Sequence, residues 1–528
     1  MGWPIPTGQD EETGMPGDND ITVQIEQARE ILSSDELAPI CEMVFWRDDL
    51  NGTPAYVVAN SIGTVRYARH EEDGTHRFEV IDVEGENFLE KQDQGAFSPV
   101  HDERSSLFPT ASENHYPHAY ESIAQIFDDP NAPDMAAVHT AAHNWEDEGG
   151  HRGEHGSLDV IQARAPFIAA GKGIAALGEV NRGIRLIDIA PTILHALGAK
   201  ATDGGRSATG EVAGPTLLKR QDGVAATDIV DEGDRPERAV TFLLDGCNNN
   251  VLHDMAARGE IPNIARLMEM GTTFSHGAAS SFPTVTLANH TAIATGTHPG
   301  HHNVLHNSFW DRSEKKRIDT NHPATWHLWS QWVSSEVETI HDAIHRSFPG
   351  EFTASIDEPA DGGADYSTFG MFRKGRGTGF PESPHELPHA SAQFVRPFKD
   401  YEWSTAVDHM GLEQATGIWS GHFKGDDYPL PKFMWVNFTL TDSAMHRGGP
   451  HSDISEASLR DTDGRIGEII ASIEKAGAFE ETAFFLFADH GMEESNPEVT
   501  GNWGKILRDE GISFRDEGYG FIYVGVED

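Results

Sequence analysis

The sequence predicts an α/β fold in which helices cover both faces of a mostly parallel central sheet. Three observations lead to this prediction: short apolar runs recur along the chain, helical patterns lie between them, and acidic residues follow several of the runs. Uninterrupted apolar runs indicate strands buried on both faces, and strands that alternate with helices form parallel sheets. Such a sheet places its chemistry beyond the carboxyl ends of its strands.

Five apolar segments are predicted to be strands: residues 134–141, 165–171, 239–245, 432–440 and 482–489. Two helices are marked by their ends. In "IPNIARLMEMG" (261–271), Gly271 follows the last turn. In "RLIDIAPTILHALG" (185–198), Asp188 is a predicted cap at the start and Gly198 at the end.

Two regions do not follow this alternation of predicted strands and helices. Residues 199–237 are rich in Gly, Ala, Asp and Thr, with little periodicity, and are predicted to be a linker. Residues 312–430 contain Pro, Gly and aromatic residues without a clear strand pattern. We interpret this second region as a cap-like insertion over the edge of the sheet, where substrate is usually bound.

Charge limits the possible partners. The chain of 528 residues has a formal net charge of -46, from 85 acidic and 39 Lys or Arg residues. Because the long-range field of such a protein repels polyanions, we expect neither a nucleic acid polymer nor an anionic membrane as partner.

The sequence also gives expectations about compartment. Two cysteines, Cys41 and Cys247, are too few for a disulfide framework. The first 18 residues lack the pattern of a signal peptide, and no apolar run approaches the length of a transmembrane helix. We therefore expect a cytoplasmic protein.

Three carboxylates stand at or just after apolar runs: Asp245, Asp442 and Asp489. Any one alone is more often a helix cap or a surface turn. Here Asp442 lies four residues before His446, so both would share one helix face, and Asp489 adjoins His490. Mixed Asp and His ligation suits zinc, with manganese as a less suited alternative, and the carboxylates are numerous enough for two ions.

A hydroxyl-rich segment, "SFPTVTLANHTAIATG" (281–296), precedes a helical pattern. A threonine hydroxyl is a weak nucleophile at neutral pH unless a metal ion stabilises its alkoxide. A threonine in front of a helix is, taken alone, more often an N-cap.

The motifs "LLDG", "PTVTLANH", "TDSAMH" and "ADHGM", in this order, resemble the alkaline phosphatase superfamily, specifically its type I phosphodiesterase/nucleotide pyrophosphatase family. The resemblance implies an alkaline-phosphatase-like α/β/α sandwich, two zinc ions and a threonine that attacks phosphorus. It implies that Thr286 is the nucleophile, with Thr284 as the competing choice, and that the Asn307 amide helps to hold a phosphoryl oxygen. The implied ligands are Asp245, Thr286, Asp489 and His490 for the nucleophile-side ion, and Asp442 and His446 for the second ion.

The resemblance requires one more histidine after the Asp-His-Gly motif, yet no histidine follows Gly491. Upstream, "GGHRGEHGSLDVIQARAPFIAAGKGI" (149–174) is similar to the C-terminal part of the family and offers His155 as the last ligand of the second ion. His151 is the local rival, but no glycine follows it. We therefore predict a circular permutation, in which His155 completes the site of its own chain or that of a partner in a swapped dimer.

The permutation divides one catalytic domain into two parts of the chain. Residues 18–198 would be the family's C-terminal segment and residues 238–528 its N-terminal and central segment, joined by the linker 199–237. The implied function is a phosphodiesterase or nucleotide pyrophosphatase acting on a small phosphoester, a nucleotide among the candidates. The alternatives are a phosphomonoesterase, a phosphonate (C–P) hydrolase, and a binding protein without catalytic activity.

Overall fold

The computed structural model describes residues 18–50, 52–144, 150–374 and 399–526. The segment on which the absence of a signal peptide was predicted lies almost entirely outside these residues. Within the described ranges, we find no helix that is both long enough and apolar enough to cross a membrane.

The strands of the described chain are β1 Cys41–Leu50, β2 Thr53–Asn60, β3 Gly63–Glu72, β4 Thr75–Gly85, β5 Met135–His139, β6 Gly153–Glu154, β7 Arg164–Ala165, β8 Phe167–Gly171, β9 Gly178–Val180, β10 Ile184–Arg185, β11 Arg238–Leu244, β12 Gly271–Phe274, β13 Ala278–Ala279, β14 Ser308–Asp311, β15 Lys316–Asp319, β16 Thr353–Ile356, β17 Tyr366–Ser367, β18 His422–Phe423, β19 Asp426–Asp427, β20 Phe433–Phe438, β21 Thr482–Phe487, β22 Glu493–Glu494, β23 Phe514–Glu517 and β24 Phe521–Val524.

The α-helices are α1 Asp18–Leu32, α2 Val100–Ser105, α3 Ala119–Ala124, α4 Val160–Ala163, α5 Ile189–Ala196, α6 Asn249–Ala257, α7 Pro262–Met270, α8 Thr286–Thr295, α9 Pro299–His302, α10 Ile340–Ser347, α11 Thr368–Arg373, α12 Lys399–Trp419, α13 Leu440–Gly448, α14 Asp453–Lys475 and α15 Trp503–Asp509. Short 3-10 helices span Phe88–Glu90, Gln125–Asp128, Leu186–Asp188, Thr227–Ile229, Trp326–Gln331 and Phe479–Glu481.

The central sheet has eight strands in the order β17-β16-β20-β11-β21-β8-β12-β9. The five strands from β17 to β21 run parallel, as the sequence predicts, whereas β8 is antiparallel to both of its neighbours. Every residue of β20 and β21 is buried. Because successive side chains point to opposite faces, this burial means that both faces of the sheet are covered.

The predicted helix ends are only partly matched. Gly271 directly follows α7, and Gly198, with a φ of 71°, lies just beyond α5. Asp188 stands at the start of α5, but its side chain makes no capping bond to that helix. It accepts hydrogen bonds from the backbone N–H groups of Arg185 and Val224 instead.

A second sheet of seven antiparallel strands, in the order β23-β24-β5-β1-β2-β3-β4, was not predicted as a separate layer. The predicted strand 134–141 lies here, as β5, where it pairs with β1 and β24. One face packs on residues that include Phe282 and Leu305, and the other face packs on α1 and α15. This sheet joins strands from the two ends of the chain.

The two irregular regions have different structures. Residues 199–237 connect α5 to β11 and contain one short 3-10 helix, Thr227–Ile229. In the same segment Asp222 is buried, and its Oδ2 atom lies 2.5 Å from His301 Nδ1. The interval 312–430 contains α10 to α12 and also supplies β16 and β17, which extend the central sheet. These two strands were not predicted.

Candidate metal centre and active site

The three predicted carboxylates lie at one edge of the central sheet. Asp245 follows β11, Asp489 comes two residues after β21, and Asp442 is in the first turn of α13, which begins soon after β20. Since β20, β11 and β21 are adjacent and parallel, their carboxyl ends meet at this edge. The sheet topology therefore brings together residues that lie far apart in the sequence.

The first group of candidate ligands contains Asp442, His446 and His155. The Asp442 Oδ1 atom lies 3.4 Å from His446 Nε2 and 3.8 Å from His155 Nε2. The two Nε2 atoms are 3.1 Å apart. All three residues belong to the same chain, so the group is complete without a partner subunit.

The second group contains Asp245, Asp489 and His490. The His490 Nε2 atom lies 3.1 Å from Asp489 Oδ2 and 3.7 Å from Asp245 Oδ1. The Gly246 N–H donates to the other oxygen of Asp489 at 3.0 Å, which fixes this carboxylate. The rings of His155 and His490 stack at 3.7 Å, so the two groups adjoin.

Backbone carbonyl groups orient the three histidines. Nδ1 of His155, His446 and His490 each lies 2.8 Å from a carbonyl oxygen, those of Thr284, Gly153 and Gly491 respectively. A carbonyl oxygen only accepts, so each neutral ring carries its proton on Nδ1 and has a lone pair on Nε2. This arrangement is typical of histidines that bind a metal through Nε2.

The arrangement is unfavourable without a cation. Asp245 Oδ1, Asp442 Oδ1, Asp489 Oδ2 and His490 Nε2 are buried and have no hydrogen-bond partner among the described residues. Burial and the charges of Asp489 and Asp442 raise the pKa of Asp245 well above its ordinary value. Burial and the neighbouring charges of His490 and His446 lower the pKa of His155 well below its ordinary value.

These residues fit divalent metal ions. Bonds of about 2.0–2.2 Å from nitrogen and oxygen ligands to a shared zinc ion place two ligand atoms roughly 3–4 Å apart. The N–O distances within both groups lie between 3.1 and 3.8 Å. A metal centre with Asp and His ligands needs buried ligand atoms that are not engaged in hydrogen bonds and N–O distances in this range, and both are found here.

Thr286 is the first residue of α8 and is nearly buried beside the second group. The Asn307 Oδ1 atom accepts the Leu287 N–H at 3.1 Å, so the Asn307 amide is held at the start of α8. The competing threonine, Thr284, is engaged elsewhere, because its hydroxyl donates to the Ser157 carbonyl at 2.8 Å and accepts from the Gly156 N–H at 2.9 Å.

Other acidic and histidine residues adjoin the two groups. His151, the local rival of His155, lies in a second cluster with Glu154, which shares His446 with the first group. His290 lies beside Asp245 and Asp489 and pairs with Glu358. Burial would lower the pKa of His290, but the charges of Glu358 and Asp489 raise it well above its ordinary value, so negative charge dominates here.

Two cavities border the candidate centre. The larger, about 390 Å³, is lined by residues that include His155, His446, Asn307 and Arg317. The smaller, about 110 Å³, is lined by Asp245 and Thr286 together with the aromatic side chains of Trp326, Phe369 and Trp403. Space for substituents of a substrate therefore exists on both sides of the centre.

Comparison with known families gives a match to the model described as type I phosphodiesterase/nucleotide pyrophosphatase, over residues 239–528. Among curated proteins, an uncharacterised pyrophosphatase/phosphodiesterase of Schizosaccharomyces pombe is 24% identical over 264 residues, covering 48% of this chain and 44% of that protein. The ectonucleotide pyrophosphatase/phosphodiesterase family member 3 of Mus musculus is 21% identical over 262 residues, covering 49% and 25%. The chain thus spans less than half the length of these relatives.

Solved structures similar to this chain include murine ectonucleotide pyrophosphatase/phosphodiesterase 5, with a TM-score of 0.33 and 15% identity. Phosphonoacetate hydrolase from Sinorhizobium meliloti, solved with phosphonoformate, has a TM-score of 0.32 and 21% identity. Each match covers 48% of this chain and 57% of the other.

The family model matches more than half of the chain, and the matched part carries Asp245, Thr286, Asp442, His446 and the Asp489-His490 pair. This chain therefore belongs to the type I phosphodiesterase/nucleotide pyrophosphatase family.

Proposed function

We propose that this protein is a two-metal phosphodiesterase/nucleotide pyrophosphatase that hydrolyses phosphodiester or phosphoanhydride bonds through a phosphothreonine intermediate on Thr286. The observation that carries the proposal is the convergence of three carboxylates, each with a buried oxygen that has no hydrogen-bond partner among the described residues, and three histidine Nε2 atoms at the edge of the sheet. Thr286 lines one cavity together with Asp245 and Asp442. When bound, two divalent cations, zinc by preference and manganese as the alternative, supply charge that stabilises an alkoxide and a leaving oxygen and that activates water.

Asp245, Asp489, His490 and Thr286 would hold the nucleophile-side ion, and Asp442, His446 and His155 the second ion. Since Nδ1 of each histidine donates to a backbone carbonyl, the ring cannot rotate without losing that bond. The chain's contribution is therefore a rigid, preorganised set of ligands.

In the first step, the Thr286 oxygen attacks phosphorus while the bond to the leaving oxygen breaks. The phosphoryl part of the substrate thereby becomes an ester of Thr286, and the leaving group departs with the proton that the Thr286 hydroxyl gives up. Water then hydrolyses the ester, releasing the phosphorylated product and restoring the hydroxyl. In-line attack places the leaving group opposite Thr286, which agrees with the cavity beside His155 and His446.

Two groups at the start of α8 support a role in holding phosphoryl oxygens. Helix N-termini favour anions because their first N–H groups lack intrahelical partners. Asn307 accepts the Leu287 N–H through Oδ1, so its Nδ2 hydrogens are the ones left to donate. We propose that Asn307 Nδ2 and the Thr286 N–H stabilise charge on the phosphoryl group.

The substrate is proposed to be a small phosphoester, and nucleotides are the first class to test. The net charge of -46 does not prevent binding of such an anion, because bound cations invert the local field. The same charge argues against a nucleic acid polymer as substrate.

The experiment compares hydrolysis of bis(p-nitrophenyl) phosphate and p-nitrophenyl phosphate by the zinc-loaded and the chelator-treated protein. A preference for the diester that depends on metal is the expected result, and nucleotide substrates follow. Preference for the monoester would overturn the phosphodiesterase assignment. If neither compound is hydrolysed, release of phosphate from phosphonoacetate would identify a phosphonate hydrolase, and retained metal with no turnover of any of these compounds would favour a binding protein.

A further inference from the structure

His290 is a buried histidine that the ligand sets above do not use. It lies on α8, four residues after Thr286, and only 1% of its surface is exposed. Residues four apart on a helix share one face, so His290 lies one turn below Thr286 on the side that faces the centre. The same spacing relates Asp442 to His446 on α13, the pair in the first group.

Glu358 fixes the orientation of the His290 ring. Its Oε2 atom lies 2.8 Å from His290 Nδ1, and its Oε1 atom accepts the Ala360 N–H at 2.7 Å. Both side chains are inaccessible to solvent, so water does not compete for these bonds. The carboxylate accepts the Nδ1 proton, and the neutral ring therefore has its lone pair on Nε2.

The Nε2 atom of His290 points into the second group without a hydrogen-bond partner among the described residues. It lies 3.4 Å from Asp489 Oδ2 and 4.0 Å from Asp245 Oδ2. His490 Nε2 makes comparable approaches to the same two carboxylates, at 3.1 and 3.7 Å. A nitrogen facing carboxylate oxygens at these distances requires a positive charge between them, which is either a proton on Nε2 or a metal ion that replaces that proton.

Four histidines around the centre therefore share one arrangement. In each, Nδ1 donates to a fixed acceptor and Nε2 faces carboxylates: the acceptor is a backbone carbonyl for His155, His446 and His490, and the Glu358 carboxylate for His290. A carboxylate that accepts the Nδ1 proton raises the basicity of the other nitrogen, so His290 would be a strong donor to a metal.

We infer that His290 is a further ligand of the nucleophile-side metal ion and that Glu358 is the residue that positions it. The inference rests on the proposed function in one respect, the metal-binding role of Asp245, Asp489 and His490. It adds a second histidine to that ion and makes α8 the source of two ligands, Thr286 and His290.

The test is metal binding by the full chain, measured without substrate. Metal-free protein is titrated with Zn²⁺ in competition with a chromophoric chelator, which resolves the affinities of the two sites. We expect His290→Gln to weaken one of the two sites by at least about tenfold, and Glu358→Gln to weaken the same site by a smaller factor, because glutamine keeps one acceptor oxygen.

A spectroscopic measurement separates direct ligation from an indirect effect. Co²⁺-loaded wild-type protein and His290→Gln are compared by visible absorption, which responds to the number and kind of ligands. A changed spectrum is expected. A lowered affinity with an unchanged spectrum would show that His290 acts only as a neighbour of Asp489, and unchanged affinity would also overturn the inference.

His341→Gln is the matched control. His341 is also fully buried, but it packs against the Phe433 ring, and neither of its nitrogens has a hydrogen-bond partner among the described residues. Its variant should keep both zinc affinities. If His290→Gln does not fold, as judged by circular dichroism, the comparison of Glu358→Gln with His341→Gln decides instead.

The outcome is separable from that of the proposed function. A protein that binds two zinc ions with the His290 dependence but hydrolyses no phosphodiester would refute the proposed activity and keep this inference. If wild-type protein hydrolyses phosphodiesters and His290→Gln binds metal as wild type does, the proposed function is kept and this inference is refuted.

Discussion

At the scale of single residues, Thr286 and Thr284 differ in their freedom to react. The Thr284 hydroxyl bridges Ser157 and Gly156, whereas Thr286 lies at the helix start beside the carboxylates. Thr286→Ala should lower phosphodiester turnover by at least about a thousandfold, because the nucleophile is removed, while the zinc content stays nearly unchanged. Steady-state kinetics and elemental analysis check both points.

The control for this substitution is Thr284→Ala. It removes two structural hydrogen bonds and should lower thermal stability, but it leaves the nucleophile in place. Full activity of Thr286→Ala would contradict its assignment as the nucleophile. If Thr284→Ala is also completely inactive and keeps its metal, Thr284 would be the nucleophile instead.

His155 and His151 are the second pair to compare. His155 Nε2 faces His446 and Asp442, so His155→Ala should lose about one metal equivalent per chain. His151→Ala should retain both equivalents, because His151 lies in the neighbouring cluster with Glu154. Metal analysis after equilibrium dialysis decides, and equal losses in both variants would contradict the assignment.

Much of the candidate site could be predicted from local sequence. Asp245, Asp442 and Asp489 were found because apolar runs mark buried strands, and adjacent parallel strands end at one edge. His155 could be chosen only by comparison with the family's order of motifs, because His151 lies four residues before it and also adjoins a glycine. Glu358 left no signal, because its role comes from contact with a histidine 68 residues away.

At the scale of elements, the turn between β11 and α6 brings the two candidate groups together. Gly246 has a φ of 63°, and a Cβ atom there would lie 2.6 Å from Asp442 Oδ1. Gly246→Ala should displace Asp442 and weaken zinc binding by roughly tenfold or more. Chelator competition measures this.

Gly259→Ala provides the control for backbone strain. Gly259 also has a positive φ, 75°, but a Cβ atom there would meet no atom within 4 Å. It should lose stability without loss of metal affinity. A loss of affinity in both variants would show that strain in the backbone, rather than contact with Asp442, causes the effect.

Strand β1 carries a buried acid, Glu42, whose Oε1 accepts hydrogen bonds from Tyr116 and Asn114. Burial, with the charge of Asp159, raises the pKa of Glu42 to about 8 from an ordinary value of 4.5. Between these values the folded protein keeps a proton that the unfolded chain releases. This contribution to stability is therefore complete below pH 4.5 and is lost as pH rises to about 8.

Glu42→Gln should remove this dependence, because glutamine stays neutral in both states. Melting temperatures at saturating zinc should fall less between pH 5 and 8 in the variant than in wild type. Glu84→Gln, a change of an exposed residue on β4 of the same sheet, should follow wild type. If plots of melting temperature against pH are parallel for wild type and both variants, the prediction is wrong.

Four strands of the central sheet, β8, β11, β20 and β21, were predictable because most of their residues are apolar, but the direction of β8 was not. Direction depends on how the chain approaches the sheet, which a five-residue run does not record. The edge strand β17 and its neighbour β16 are short and lie in a region with many aromatic residues, so they lacked the periodicity that indicates strands.

At the scale of the whole molecule, both ends of the described chain meet in one layer. The Ser513 N–H donates to the Gln24 side chain at 2.8 Å, and β24 pairs with β5. A Cβ atom on Gly525 would lie 3.0 Å from Ile21 Cδ1. This proximity is what the predicted permutation requires, because the chain near Gly525 could be joined to the chain near Ile21 by a short linker.

A rearranged chain tests the permutation. It begins at residue 199, so that the buried residues of 199–237 are kept, runs through 528 and a short glycine-serine linker to residue 18, and ends at residue 198. We expect it to fold, bind two zinc ions and keep turnover within about tenfold of wild type, since termini that lie close at a surface tolerate such rejoining. A chain that folds without binding the second ion would contradict the proposed equivalence of the two parts.

The separation of His155 and His446 by 291 positions also affects how the protein matures. At about 5–20 residues per second, a ribosome needs roughly 15–60 seconds to add the stretch between them, and Asp489 and His490 follow later still. Until then the Nε2 atom of His155 lacks the neighbouring residues His446 and Asp442, with which it would share a metal ion. On the proposed ligand assignment, the complete metal centre would form only after nearly the whole polypeptide has been translated, and nascent fragments would lack a hydrolytic centre.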